Sequence, residues 1–460
     1  MAQQNGSLKR NLGLWAIVGL GLGYMTPTVV FDTFAIVSED THGAVPSAYV
    51  IALVVMAFTA ISYGKMVRAI PSAGSAYTYT RESMHPNVGF MVGWVALLDY
   101  IMLPLVNVLI LRQYMEQLVP AVNPWLWVFL FSGIVTASVY FTMKGTSNLN
   151  SLLLVGALII MASFLVMLIG QVQKGAGTGQ LWTVQPFIGQ DFDFVKVVAA
   201  ATVVCFSFIG FDAVTMYAEE AKNPKIMPKA ILLTVLLGGL IFLVASYFTQ
   251  QRFPDNSTFG DVENALPQMG QQVGGDVFMW IFTAAGFAAT MASALASHAS
   301  VARMLLVMGR NGVLPRKFFG YVSPKTNTPI YTVLLVGVVT LLAGWLDLEF
   351  TAHLINFGAL IAFTFVNLSV IAYYAVRQGR RKTRKDIMKY IVMPIIGTGM
   401  TLILWVNLES VSLMLGSIWL AIGLIYLVFL TKGFRTQPAG FDEAQPVTGF
   451  TKAQTETAEK

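Results

Sequence analysis

The chain has 460 residues, 56% of them hydrophobic and only 11% charged, with a mean hydropathy of +0.67. Soluble domains carry about 25% charged residues, so this composition leaves too few to cover a water-facing surface, and lipid is the expected solvent. The net charge of +6 does not point to nucleic acid, because the Lys and Arg residues sit in gaps between apolar runs and not on a soluble basic surface.

From the N-terminus, MAQQNGSLKR leads into a long apolar stretch with no small-residue cleavage pattern after it, so that stretch is expected to be a retained span. Runs long enough to cross hydrocarbon fall at 12–37, 46–68, 88–118, 125–143, 151–171, 195–219, 229–251, 275–308, 328–346, 350–376, 388–408 and 411–431. They are called spans 1 to 12. With the N-terminus inside, 25 of the 29 Lys and Arg residues fall on the inner side, and only Arg112, Lys174, Lys196 and Arg252 fall outside. The positive-inside rule then predicts a multi-pass protein of the cytoplasmic membrane with both termini cytoplasmic. The expected fold class is an all-α polytopic membrane protein of about twelve helices. Its parts are an N-terminus (1–11), a ten-span core (12–376), a basic loop (377–387), two accessory spans (388–431) and a tail (432–460), disordered by composition. The inner segment 69–87 and the acidic outer segment 252–276 read as loops longer than a helical hairpin needs.

Span 1 carries Gly19, Gly21 and Gly23 in VGLGLGYMTP, closed by Pro27, and span 6 carries Ser207, Gly210 and Asp212 in CFSFIGFDAV. Glycines at 19 and 23 also fit a packing seam, but Gly21 between them lowers helix propensity further. The two weak points lie five spans apart, the spacing at which an inverted five-plus-five repeat (12–171 and 195–376) sets two broken helices against each other at mid-membrane.

Charges inside the spans narrow the site. Asp99 lies 11 residues into span 3, about 16 Å from the cytoplasmic end, and Asp212 sits in the span 6 break. A mid-membrane carboxylate costs about 2.5–3.5 kcal/mol even on the gentler insertion scale, so each needs a partner or a wet cavity. For Asp212 a helix cap is the competing role. Tyr100 and Trp94 flank Asp99 and offer faces to an ammonium group, Trp94 fitting ordinary packing better. Asp32, nine residues after Gly23, is expected near the outer mouth. Glu219 and Glu220, beside Lys222 and Lys225, are gate or surface candidates. Arg112 and Glu116, at i, i+4, are expected to pair. His298 in span 8 titrates nearest neutrality and is a candidate proton carrier, or a histidine bonded within the bundle. Ser293, Ser297 and Ser300 offer oxygens to a sodium ion, but such sites have no readable spacing. Cys205 is single and offers no metal set. No HExxH, GxSxG or Walker A sequence is present, so no enzyme, metal site or cofactor is expected. A channel would show a polar ring on a continuous pore helix in place of paired breaks.

The chain resembles the amino acid-polyamine-organocation superfamily over its whole membrane region, through PSAGSAYTY (71–79), GFMVGW (89–94), FSFIGFDAV (206–214) and RMLLVMGRNGVLP (303–315). Within it the chain looks most like bacterial putrescine importers, through TPTVVFDTFAIVS (26–38), FTAISYGKMVR (58–68), GFMVGWVALLDY (89–100), SHASVARMLLVMGR (297–310), INFGALIAFTFVNLSV (355–370) and LWVNLES (404–410). The resemblance implies a leucine-transporter-like inverted repeat plus two helices, import of a small amine and coupling to protons. It carries the binding site over to Gly21, Leu22, Gly23 and Tyr24 of span 1, Asp99 and Tyr100 of span 3, and Phe208, Ile209, Gly210, Phe211 and Asp212 of span 6. One segment departs: TMYAEEAKNPK (215–225) stands where those importers carry a serine- or threonine-rich stretch before the two glutamates, so Met216 and Tyr217 mark where substrate choice can diverge. An amino acid permease and a non-transporting sensor are the alternatives, and the sequence sets no oligomeric state.

Overall fold

A computed structural model describes residues 12–70, 76–141, 147–218, 221–323 and 328–438; of the tail expected to be disordered, residues 439–460 lie outside them. The described residues are predominantly helical and include eleven helices long and apolar enough to cross a membrane. Span 9 is the short one: an α-helix, Ile330–Thr340, tightens to a 3₁₀ turn at Leu341–Gly344. With it the twelve expected spans are all present. Spans 3 (Pro86–Leu118) and 10 (Leu348–Val370) are the most buried, while spans 4, 5, 11 and 12 are the least. The outermost spans expose Phe129, Ile159, Val166, Ile425 and Phe429, an apolar band that only lipid covers without cost.

The polar residues separate to two faces. On the basic face Lys65 donates to the Lys389 carbonyl, Arg377 to the carbonyls of Glu82 and Met84, and Tyr374 stacks on Tyr390 with ring centroids 4.5 Å apart. On the acidic face Gln113 donates to Glu263 at 2.7 Å, and Arg112 and Glu116 form the expected ion pair at 3.1 Å.

Two expected loops contain helices. Ala76–Ser83 is a short helix inside the segment read as 69–87, with Tyr77, Tyr79 and Thr80 buried. In the acidic segment, helix begins at Ala265 and runs to Gly275, whose φ of 74° and ψ of −172° kink the chain before span 8 continues to Arg310. The kink needs a residue without a Cβ, and the fragment ahead of it buries Ala265, Leu266, Pro267 and Met269. Both segments are too short and polar to give an apolar-run signal, yet each has one face to bury.

Candidate functional site

Span 1 breaks later than its glycines suggest. The helix continues from Leu14 through Gly19, Gly21 and Gly23 to Tyr24, and resumes at Val29. The gap holds Pro27 and Thr26, which has φ = 45°, a strained backbone for a β-branched residue. The glycines do other work: a Cβ on Gly21 would lie 2.6 Å from Val214 and 2.7 Å from Thr234, so Gly21 admits span 6 and span 7 against span 1, while Gly19 faces open space. Leu22 turns toward Gly238 of span 7, off the break.

Span 6 breaks where expected. An α-helix ends at Cys205, a 3₁₀ turn covers Phe206–Phe208, and a second 3₁₀ stretch begins at Asp212 and runs to Ala218. Gly210, with φ = 105°, is the pivot, and Asp212 faces the backbone N–H groups of Gly210 and Ala213 in the manner of a cap. Phe208 is wholly buried and edge-on to Phe242 of span 7, with centroids 5.4 Å apart. Phe211 turns the other way, toward Tyr63 and Phe363 at 5.6 Å and 5.2 Å.

Asp99 and Asp212 come together. They lie within electrostatic reach of each other and of Tyr63, which Tyr100 also approaches. Asp99 is 8% exposed, and Gly358 of span 10 lets it seat closely, since a Cβ there would lie 3.2 Å from that of Asp99. Among the described residues, one carboxylate oxygen of Asp99 and the hydroxyl of Tyr63 are buried without a hydrogen-bond partner. A buried carboxylate oxygen and hydroxyl left unpaired are costly, and together they present what a cation carrying N–H donors satisfies. The ring of Tyr63 packs edge-on against Tyr79, Phe211 and Phe363, an aromatic cluster of the kind that offers π faces to a cation. Tyr63 and Phe363 were not among the expected site residues. Tyr63 lies in FTAISYGKMVR, and nothing about a lone aromatic in an apolar run separates a site residue from packing.

Asp32 is not at the outer mouth. It is 4% exposed and accepts a hydrogen bond from the Tyr114 hydroxyl at 2.6 Å. Its end of span 1 closes a cavity of about 40 Å³ shared with Tyr24, Thr26, Asn107, Ile209, Thr290 and Ser293. That volume suits water, so a diamine enters only if the helices part. The half of span 1 after its break is sealed, with Val30, Phe31, Phe34 and Val37 fully buried, whereas Tyr24 is 38% exposed. Tyr24 is also within electrostatic reach of Asp212 and of Arg303, an exposed residue of span 8.

The remaining candidates separate from this cluster. His298 is fully buried, and its Nε2 meets the Val333 carbonyl of span 9 at 3.0 Å. Trp94 stacks on Trp419 at 4.9 Å, each indole N–H donating to the other's carbonyl, which makes it a bolt between spans 3 and 12. Ser297 bonds its own helix at the Ser293 and Ala294 carbonyls. Glu219 and Glu220 lie outside the described residues, as do the side chains of Met216 and Tyr217.

Comparison with known proteins adds a family and relatives. A family model described as amino acid permease matches residues 16–434. The low-affinity putrescine importer PlaP of Escherichia coli is 45% identical over 437 residues, which cover 95% of this chain and 97% of that protein. The methylthioribose transporter of Bacillus subtilis is 27% identical and the branched-chain amino acid permease BcaP of the same species 26%, each over 93% of this chain and 94% of its own length.

Proposed function

We propose that this chain, which belongs to the amino acid permease family, imports putrescine or a closely related polyamine across the cytoplasmic membrane of a bacterium. The transport is secondary and proton-coupled, by alternating access around the breaks in spans 1 and 6. The observation that carries the reading is the buried Asp99 oxygen without a partner among the described residues, within electrostatic reach of Asp212 and of Tyr63. Acids and rings suit an ammonium group and oppose a carboxylate. The full-length relative named as a putrescine importer supports the same cargo. The basic face is taken as cytoplasmic, because loops rich in Lys and Arg stay inside; both termini then lie in the cytoplasm. The exposure of Tyr24 and Arg303 accordingly describes a vestibule opening inward.

An amino acid is the second reading, favoured by Arg303, which would give a cargo carboxylate a cationic partner near Tyr24. Uptake of labelled putrescine into proteoliposomes under an imposed proton gradient separates the two. Competition by other diamines, and none by excess neutral amino acids, is expected; inhibition by amino acids alone would overturn the diamine.

A further inference from the structure

Asp32 is not among the groups that act on Asp99 or Asp212, yet it is a carboxylate buried in mid-protein. Among the described residues its surroundings hold no counter-charge. Span 3 bears no charged residue between Asp99 and Arg112, span 7 none between Lys229 and Arg252, and span 8 only His298 between Asp276 and Arg303. His298 is tied to Val333. The titratable groups that face Asp32 are hydroxyls: Tyr114 from span 3 at 2.6 Å, Tyr49 from span 2, itself bonded to Ser207, and Tyr24 across the cavity. Tyr247, the titratable group inside span 7, is held by the Leu181 and Thr183 carbonyls and faces away. An ionised carboxylate in such a place costs several kcal/mol, and a neutral acid costs far less.

We propose that Asp32 is the proton carrier of this transporter, loaded from the acidic face and sealed as the neutral acid behind Tyr114. This rests on the proton-coupled reading above and assigns the coupling to a residue outside the amine cluster. When the outer half of span 1 parts from span 3, the carboxylate meets external water and one oxygen takes a proton. Closure restores the Tyr114 bond to Oδ1 and leaves the acid beside the water-sized cavity. On release the O–H bond breaks, the electron pair stays on the carboxylate, and the proton passes to cavity water and on past Tyr24, which borders both the cavity and the inward vestibule. Asp99 and Asp212 remain free to hold the cargo's charge throughout.

The test uses the full-length protein in proteoliposomes with labelled putrescine. A wild type that neither binds nor moves putrescine removes the cargo reading, and uptake indifferent to a pH gradient removes proton coupling, before Asp32 is in question. With both present, Asp32→Asn is expected to keep counterflow exchange within about three-fold of wild type while losing at least about ten-fold in gradient-driven accumulation. Asp32→Glu should recover at least about a third of that accumulation, since it keeps the acid. Accumulation by Asp32→Asn at the wild-type level overturns the proposal, and so does an equal loss of exchange and accumulation in a folded variant. If Asp32→Asn does not fold, Tyr114→Phe decides: the pH at half-maximal uptake is expected to move by at least about half a unit when the bond to the carboxylate is lost. An unmoved profile overturns the assignment.

Discussion

Tyr24 and Gly210 meet where spans 1 and 6 lose their helices: a Cβ on Gly210 would lie 2.9 Å from the Cβ of Tyr24. The glycine also holds φ = 105°, so a side chain there meets both a collision and a disfavoured backbone. Gly210→Ala is expected to destabilise the protein by about 1–3 kcal/mol and to lower putrescine uptake more than ten-fold, on the order of the same energy. Thermal unfolding in detergent and uptake in proteoliposomes measure the two. Wild-type values of both would mean that the breaks do not need to touch.

Asp99→Asn tests the amine site. The carboxylate supplies an unpaired buried oxygen, and an amide of the same shape keeps the packing against Gly358 while removing the charge. Uptake should fall at least about 100-fold, in line with roughly 3 kcal/mol for a buried charge-assisted bond. Folding should be unharmed or improved, because an uncompensated carboxylate is gone. Near-normal uptake would exclude Asp99 from binding.

Tyr63→Phe separates binding from stability by sign. The hydroxyl has no partner among the described residues, and its ring packs edge-on against Phe211, Phe363 and Tyr79. Removing the oxygen should leave stability unchanged or raise it by about 1 kcal/mol. If the hydroxyl meets the cargo's ammonium, the same change weakens putrescine binding by about five-fold. Weaker binding with lower stability would assign Tyr63 to packing alone.

The sequence carried the spans well, because crossing lipid demands long apolar runs and the charge bias sorts their ends. Span 9 and the kinked entry to span 8 read less clearly: the one is short, and the other is half polar until Gly275. In the site, Gly210 and Asp212 were legible because a glycine and an acid interrupt an apolar helix. Glycine spacing puts the span 1 break a turn too early, because it cannot separate a seam from a break, and Gly21 is a seam against Val214 and Thr234. Counting residues along a straight helix puts Asp32 at the mouth. The gap between Tyr24 and Val29 shortens that path and folds Asp32 inward onto Tyr114. Tyr63, Tyr114 and Phe363 became visible only when spans 2, 3 and 10 were brought together.

His298 is the residue whose role changes most between sequence and structure. A histidine in span 8 titrates near neutrality in isolation, but here it is wholly buried, does not border the cavity and holds the Val333 carbonyl at 3.0 Å. Its Nε2 therefore carries the hydrogen and its Nδ1 is left without a partner, a neutral tautomer that ties span 8 to span 9. His298→Gln is expected to leave the pH profile of uptake unchanged, because no proton is exchanged there, and to cost about 1 kcal/mol if the amide recovers the bond imperfectly. His298→Ala, which cannot bond Val333 at all and leaves a cavity, should cost more, about 2–4 kcal/mol. Uptake measured between pH 5 and 8 with unfolding curves for both variants makes the comparison. A flattened profile in His298→Gln would return the proton to span 8 and take it from Asp32.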